Sequence, residues 1–401
     1  MILPVQHGRG GPMNAGRIVF AQLMDFMPTH DFNRCVDRYR GNYRTRRFSC
    51  RDQFLSMAFA QLTYRESLRD IETCLRAKGA KLYHAGIRAK VARNTLAKAN
   101  ELRDWRIYAD FARVLIARAR RLYMGEGLGL SLADTVYAFD STTIDLCLTL
   151  FPWAQFRRRK SAVKLHTLMD LRGNIPCFIH VSGGSMADVK ALDLIPVEAG
   201  AFYIVDRAYT DFARLHAFTE GLAFFVIRAK GNLDYARRSY RHVDKSTGLR
   251  SDSTIVLRGP KSSTLYPQPL RRISYYAADI EKRFVFLTNN FTLPALTVAE
   301  LYKRRWQVEL FFKWIKQYLR IKAFYGTSPN AVKTQVWIAV SVYVLVAIIK
   351  KELKIELSLG EILQILSISL FDKTPVFQLF SQVLTMTQEE TCRNQLALFD
   401  F

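Results

Sequence analysis

Apolar residues recur every three or four positions through roughly the first 130 residues, and the period then shortens to two. The first stretch reads as helical. Ser49-Cys-Arg-Asp52 and Thr63-Tyr-Arg-Glu66 have the form of capping boxes, each opening an apolar-periodic run, the second with Leu68, Ile71 and Leu75 on one face. Thr95 is placed to cap a helix running through Leu102, Trp105 and Tyr108 toward Leu122. Gly125 to Gly129 breaks the pattern. Val136 to Ile144 is then β-branched and aromatic and predicts a strand. Lys164–Leu171 and Ile175–Val181 predict two more, joined by Arg172-Gly173-Asn174 as a hairpin turn. A helix over Asp188–Ala199, a buried strand over Ala201–Val205 closing on Asp206, a helix over Asp211–Thr219 stopped by Gly221, and a strand over Ala223–Ile227 follow.

Residues 230–290 are basic and punctuated by Gly, Pro and Ser, with strands expected at Thr254–Leu257, Arg272–Ala277 and Phe284–Leu287. Thr297-Val-Ala-Glu300 reads as a third capping box, opening one long helix to about Ile321. The remainder reads as helical, with Pro375 near a final turn. The longest uncharged apolar run, Val336–Ile349 with only Ser341 interrupting it, falls short of the roughly 17–25 residues of a spanning helix and predicts a buried core helix. No spanning segment is therefore expected, and with no convincing basic amphipathic helix of broad apolar face a membrane-surface partner is not expected either.

Length alters this reading first. A chain of 401 residues exceeds the about 250–300 at which single cores stop growing, so several domains are expected. Charge changes it more. Lys and Arg number 59 against 35 Asp and Glu, a net +24, and such an excess repels itself unless a polyanion absorbs it. Nucleic acid is the leading partner on that ground. Ten of the basic residues lie between Arg88 and Tyr123, against three acids, which suits short helices docking on a DNA backbone. The six cysteines form no CxxC pair and no zinc pattern, and so read as reduced thiols of a cytoplasmic protein.

The candidate chemistry is acidic. Asp140 interrupts an apolar strand and Asp206 closes another, positions where a carboxylate is disfavoured. Farther on, at about 100° per residue, Tyr302, Arg305, Glu309 and Lys316 share one narrow helical stripe, on the side of the apolar Leu301, Val308, Phe312 and Ile315. Breaking a phosphodiester calls for stabilising both attacking and leaving oxygens, which two divalent ions about 3.5–4 Å apart accomplish when converging carboxylates hold them. Asp140, Asp206 and Glu309 would supply hard oxygen ligands for Mg²⁺, with Arg305 and Lys316 as cations for a phosphate. An ordinary helix-surface ion pair between Glu309 and Arg305 or Lys313 is the bland alternative.

The spacing Y-x2-R-x3-E-x6-K at Tyr302, Arg305, Glu309 and Lys316 resembles the YREK signature of bacterial insertion-element transposases of insertion sequence family four. Phe139-Asp140-Ser-Thr-Thr143 and Val205-Asp206-Arg207-Ala-Tyr209 look like that family's first and second acidic motifs, and Phe151-Pro-Trp153 with the Arg157–Lys160 run extends the likeness. The resemblance implies an α/β fold: an RNase H-like core, a mixed sheet flanked by helices, carrying a β-rich insertion between a helical N-terminal DNA-binding domain and a helical C-terminal region. It implies a DDE triad of Asp140, Asp206 and Glu309 that holds two Mg²⁺, with Mn²⁺ as a substitute, and cut-and-paste transposition on terminal inverted repeats. Tyr302, Arg305 and Lys316 would contact the DNA end. A Trp that receives a flipped base in relatives has no counterpart between Asp206 and Arg305; Tyr240, Tyr266 and Tyr275 are candidates for that task, with ordinary strand aromatics the favoured alternative for each.

Further DNA contacts are expected from Arg157, Arg158, Arg159 and Lys160, from Lys164, and from Arg237 and Arg238 in the insertion. His166 reads as a satisfied, partly buried imidazole. The expected division is an unstructured leader at 1–13, with Met13 as an alternative start, a DNA-binding domain at 14–130, a core at 131–229 with 291–325, the insertion at 230–290 and a helical region at 326–401. Partners are expected to be double-stranded DNA, both repeat and target, and a second copy of the chain on DNA in the bacterial nucleoid, with no small-molecule substrate. The rival readings are a non-catalytic, transposase-derived DNA-binding protein and, third, a plain metal-dependent nuclease.

Overall fold

The computed structural model describes residues 16–79, 81–129, 132, 134–157, 160–317 and 324–381. The expected leader at 1–13 lies outside these. Helices come first: α1 (Val19–Met24), α2 (Thr29–Arg38), α3 (Cys50–Leu62), α4 (Leu68–Lys78), α5 (Lys81–His84), α6 (Arg93–Leu102) and α7 (Arg106–Tyr123). Strands β1 (Val136–Leu146), β2 (Gln155–Arg157), β3 (Lys160–Asp170), β4 (Ile175–Gly183) and β5 (Phe202–Val205) follow, then α8 (Phe212–Glu220) and β6 (Phe224–Arg228). The next segment holds β7 (Tyr235–Arg241), β8 (Leu249–Leu257), α9 (Pro260–Leu265), β9 (Leu270–Ala277) and β10 (Lys282–Thr288). Helices α10 (Ala295–Arg304), α11 (Trp306–Gln317), α12 (Pro329–Glu352) and α13 (Leu359–Ser369) close the order.

The chain divides into two compact units, one of residues 1–115 with 317–401, the other of 116–316. The first is all helix among its described residues. Its core stacks Phe32, Phe54, Tyr108 and Phe111, with Phe111 edge-on to Phe32 at 5.0 Å and to Phe54 at 5.4 Å. Helix α12 packs against α3 and α6. The apolar run Val336–Ile349 sits inside this 24-residue helix, which by length and composition is long enough to cross a membrane, contrary to the length expected from the run alone. Its most apolar window is 94% buried in the protein, as a core helix requires.

The second unit is built on one mixed sheet, ordered β2-β3-β1-β5-β6-β10-β9-β8-β7, with β4 also paired to β3. Strands β1, β5 and β6 run parallel; the other pairings are antiparallel. The β3–β4 hairpin turns at Gly173 (φ 72°) and Asn174 (φ 55°), the left-handed pair that such a turn requires. Side chains alternate across the sheet. Tyr137, Phe139, Tyr203, Val205, Phe225, Ile227 and Leu287 enter one apolar cluster with α8 and the segment after β4, so Ala138, Asp140, Ile204 and Phe286 point to the opposite face.

Several local expectations fail where a competing signal wins. The Ser49 capping box forms as read, but the Thr63 box does not. Thr63 ends α3, its hydroxyl donating to Phe59 O, and Ser67 caps α4 instead. Thr95 caps nothing: α6 starts at Arg93 and breaks before Arg106, so the expected single helix is two. Thr297 lies inside α10, which begins after Pro294. The Asp188–Ala199 helix is a 3₁₀ segment over Asp188–Leu194 only. The single helix expected from Thr297 is divided at Arg305, where Arg305 N–H donates to Tyr302 O and Val308 N–H to Arg305 O in tight i→i+3 bonds.

Candidate active site

Asp140 and Asp206 meet because β1 and β5 are parallel neighbours. Their register pairs Phe139 with Val205, and one further step sets Asp140 opposite Asp206. Asp206 follows the last residue of β5, with extended backbone (φ −78°, ψ 161°), and opens the short 3₁₀ turn Arg207–Tyr209. The two carboxylates thus sit where the parallel pairing of β1 with β5 ends, on the side of the carboxyl end of β5, although β1 itself continues to Leu146.

The junction of α10 and α11 closes over this point. Arg305 donates from Nη1 to Asp140 Oδ2 at 2.8 Å and from Nη2 to Glu309 Oε1. One guanidinium therefore lies between two carboxylates contributed by β1 and α11. Tyr302, one turn earlier, donates its hydroxyl to Asp206 Oδ1 at 3.0 Å, while its ring packs 4.8 Å from that of Phe286. Lys316, on α11, donates from Nζ to Thr143 O of β1 at 2.9 Å. The break at Arg305 turns its side chain toward β1 as Tyr302 reaches β5.

Electrostatics follow burial. Removal from water raises the Asp140 carboxyl above its ordinary range; Arg305 opposes this, and Glu309 and Asp206 add to it. Burial works against the charge on Arg305, but Asp140, Tyr302 and Glu309 outweigh it and hold the guanidinium cationic. Its Nε is buried with no hydrogen-bond partner among the described residues. The Tyr302 hydroxyl is pushed up to about 12, by burial first and by the Asp206 charge second. Tyr209, whose ring meets Phe139 edge-on, is held protonated by burial and by Asp140.

Around the carboxylates lies a second layer that the sequence did not disclose. Ser141 N–H donates to Asp140 Oδ1 at 2.8 Å, and Ser141 Oγ donates to Asp188 Oδ1 at the same distance. Asp188 also pairs with Lys164 Nζ at 3.1 Å. Lys164 is thus turned inward, donating to Met186 O as well, and its ammonium faces protein rather than solvent, where a DNA contact was expected. Arg228, at the end of β6, stacks on Phe284 and acts electrostatically on Tyr302. Its only sequence cue is its place: it ends an apolar strand, as Asp206 follows one. His166 is fully buried, with Nε2 bonded to Ser182 Oγ at 2.9 Å but Nδ1 without a partner among the described residues, so it is less satisfied than expected.

The remaining expected contacts stand elsewhere. Arg157 ends β2 and exposed Lys160 starts β3; Arg158 and Arg159 lie outside the described residues. Arg237 and Arg238 are exposed on β7, five strands along from β5, about 24 Å at ~4.8 Å per strand. Of the three tyrosines, Tyr266 is buried and bonded to Thr219, which removes it as a base platform. Tyr240 is exposed on β7. Tyr275 lines a cavity of about 450 Å³ with Phe284, Tyr302, Arg305 and Trp306, beside the carboxylates.

The donor set suits a hard divalent cation: three carboxylates from three elements, two of which already share one cation in Arg305. With Arg305 in that position, no three acids, histidines or cysteines among the described residues stand as a ready metal cluster.

The sequence pattern of the family described as a transposase DDE domain matches residues 131–345, and that of a domain of unknown function matches residues 15–88. A Sinorhizobium fredii protein described as "Putative transposase y4zB" is 34% identical over 257 residues, 63% of this chain and 70% of its own length. A Geobacillus stearothermophilus protein, "Probable transposase for insertion sequence element IS5377", is 31% identical over 51% of this chain and 54% of its own. A Synechocystis protein, "Putative transposase for insertion sequence element IS4SA", is 21% identical over 80% of this chain and 88% of its own. Among solved structures, a piggyBac transposase synaptic complex with hairpin DNA superposes with a TM-score of 0.44 at 10% identity, covering 93% of this chain and 83% of that one. The matched stretch contains both strand aspartates and the whole α10–α11 junction, and with it this chain belongs to the DDE-domain transposases of insertion elements.

Proposed function

We propose that the chain binds the terminal inverted repeats of its element and catalyses strand cleavage and strand transfer with Asp140, Asp206 and Glu309 as the acidic triad. The observation that carries this reading is the meeting of β1, β5 and the α10–α11 junction through Arg305 and Tyr302. In this reading residues 131–229 with 291–325 form an RNase H-like core, 230–290 its insertion, and 14–130 and 326–401 the flanking helical regions, in a chain that acts as a dimer on DNA in the nucleoid.

The three carboxylates would hold two Mg²⁺, or Mn²⁺ in their place, which when bound supply Lewis-acid stabilisation of the phosphoryl oxygens. Arg305 leaves Asp140 and Glu309 to grip a phosphate of the DNA end as a bidentate fork, and Lys316 adds a point charge from α11. Tyr302 orients Asp206 through its hydroxyl, which stays protonated at neutral pH. Tyr209 and the Ser141 N–H hold Asp140 in place. Water attacks the phosphorus at the element's end and the bridging oxygen departs as a 3′-hydroxyl. That hydroxyl then attacks a phosphorus of target DNA, so one phosphodiester forms as another breaks. The aromatic cavity beside Tyr302, with Tyr275 on its wall, has room for an unstacked base.

The test is excision in cells of a marker flanked by the DNA that borders the coding sequence in its source genome. Wild type excises it. Asp140→Asn lowers excision by on the order of 10⁴-fold or more, while gel-shift binding to the flanking DNA is kept. Undiminished excision by Asp140→Asn removes the triad assignment; tight binding without excision by wild type favours the non-catalytic DNA-binding protein.

A further inference from the structure

The connection between α2 and α3 carries an assembly that the active-site reading leaves unused. Residues 38–47 read Arg-Tyr-Arg-Gly-Asn-Tyr-Arg-Thr-Arg-Arg, with five arginines and no acid. Several arginines of the same unit pair with carboxylates: Arg34 with Asp31, Arg65 with Asp70, Arg106 with Asp104 and Arg113 with Asp110, and at the start of the segment Arg38 with Asp110. Among the described residues no acid pairs with Arg40, Arg44, Arg46 or Arg47, and all four are exposed. Four like charges within eight residues repel one another, and an external anion relieves that.

The loop is held in a defined shape. Arg40 N–H donates to Asp37 O at 3.0 Å and Gly41 N–H to Val36 O at 2.9 Å, the paired bonds that close a helix with a left-handed residue, here Arg40 (φ 52°). Arg44 is left-handed too (φ 55°), so arginine twice occupies backbone that favours glycine. Asn42 Oδ1 accepts from Cys50 N–H at 2.8 Å, and a Cβ on Gly41 would stand 2.5 Å from Ile107 Cδ1. On this base Tyr43 projects into solvent, 60% exposed, with the Arg40 and Arg44 guanidiniums over its ring at 4.7 and 5.2 Å. A ring that restrains two guanidiniums lowers the entropy lost when they engage an anion.

We propose that this loop is a phosphate-gripping element for duplex DNA, with Arg40 and Arg44 preset on Tyr43 and Arg46 and Arg47 extending the contact along the backbone. The proposal rests on the transposase reading above and gives a task to part of the 15–88 stretch that matches a domain of unknown function. Each phosphate contact contributes about 0.9 to the slope of log K against log salt, or roughly 3.5-fold in affinity between 50 and 200 mM salt.

Full-length protein would be titrated into a labelled 40-base-pair duplex of mixed sequence over that salt range, read by fluorescence anisotropy. Arg46→Gln/Arg47→Gln should lower the slope by close to 1.8 and weaken binding at least tenfold at the low-salt end. Arg69→Gln/Arg76→Gln, which removes the same charge from α4, should leave the slope in place, and Arg46→Lys/Arg47→Lys should retain it. Equal changes in the two Gln pairs, or none in the loop pair, overturn the loop assignment while wild-type binding upholds the DNA reading. Absence of wild-type binding at 50 mM salt overturns both.

Discussion

His166 is a titratable group whose environment sets a pH dependence with a definite sign. It is fully buried on β3, faced by Asp188, His180 and Lys164. Burial first, then His180 and Lys164, lower its pKa to about 4 from 6.5, against the pull of Asp188. The folded state therefore resists protonation that the unfolded chain accepts. Its contribution is whole above pH 6.5 and is lost as pH falls through about 4, a difference of order 3 kcal/mol. Urea unfolding between pH 7 and 4 should show this loss in wild type, and His166→Gln should flatten it. An unchanged pH profile would mean that the imidazole is hydrated in solution. Arg305 is subject to the same cost of burial: its guanidinium persists only while Asp140 and Glu309 balance it.

Two elements hold the site's framework. The β3–β4 turn needs Gly173, both for its φ of 72° and because a Cβ would lie 2.1 Å from the Tyr123 ring on α7. Gly173→Ala should cost about 2–4 kcal/mol, combining left-handed strain with overpacking, and a denaturant midpoint measures it. The second element is the turn before α10. Arg271 on β9, 2% exposed, pairs with Asp252 on β8 and donates to Leu293 O at 2.5 Å. It ties the long antiparallel segment to the helix that leads to Arg305. Arg271→Met leaves Asp252 buried without its cation and should cost about 3–5 kcal/mol. Arg271→Met/Asp252→Leu should recover most of that loss, because no lone charge stays inside; calorimetry of the three proteins separates the outcomes.

At the scale of the whole molecule the net charge of +24 is the dominant field. A ligand that binds the folded chain alone raises its unfolding temperature by mass action, and a polyanion also discharges self-repulsion. Duplex DNA should therefore raise the melting temperature by several degrees at about 50 mM salt, and 0.5 M salt should erase the increment. Differential scanning fluorimetry with and without DNA reads both. A salt-independent increment would argue for binding dominated by apolar or base contacts.

Much was written into the chain itself. The period change after Gly129, the β-branched strands, the Gly173-Asn174 turn and the Ser49 box are local, and local physics decided them. The out-of-place acids Asp140 and Asp206 and the Tyr302–Lys316 spacing were legible for the same reason, since a carboxylate on an apolar strand is anomalous wherever the strand goes. What the sequence could not contain is adjacency across the fold. The parallel pairing of β1 with β5 sets Asp140 against Asp206, and the break at Arg305 lets one guanidinium reach acids 165 and 4 residues away. The inward turn of Lys164 and the burial of Tyr266 came from packing too. Only tertiary structure settles which face of a strand loses water, and dehydration is what turns a charged side chain from a surface contact into a committed pair.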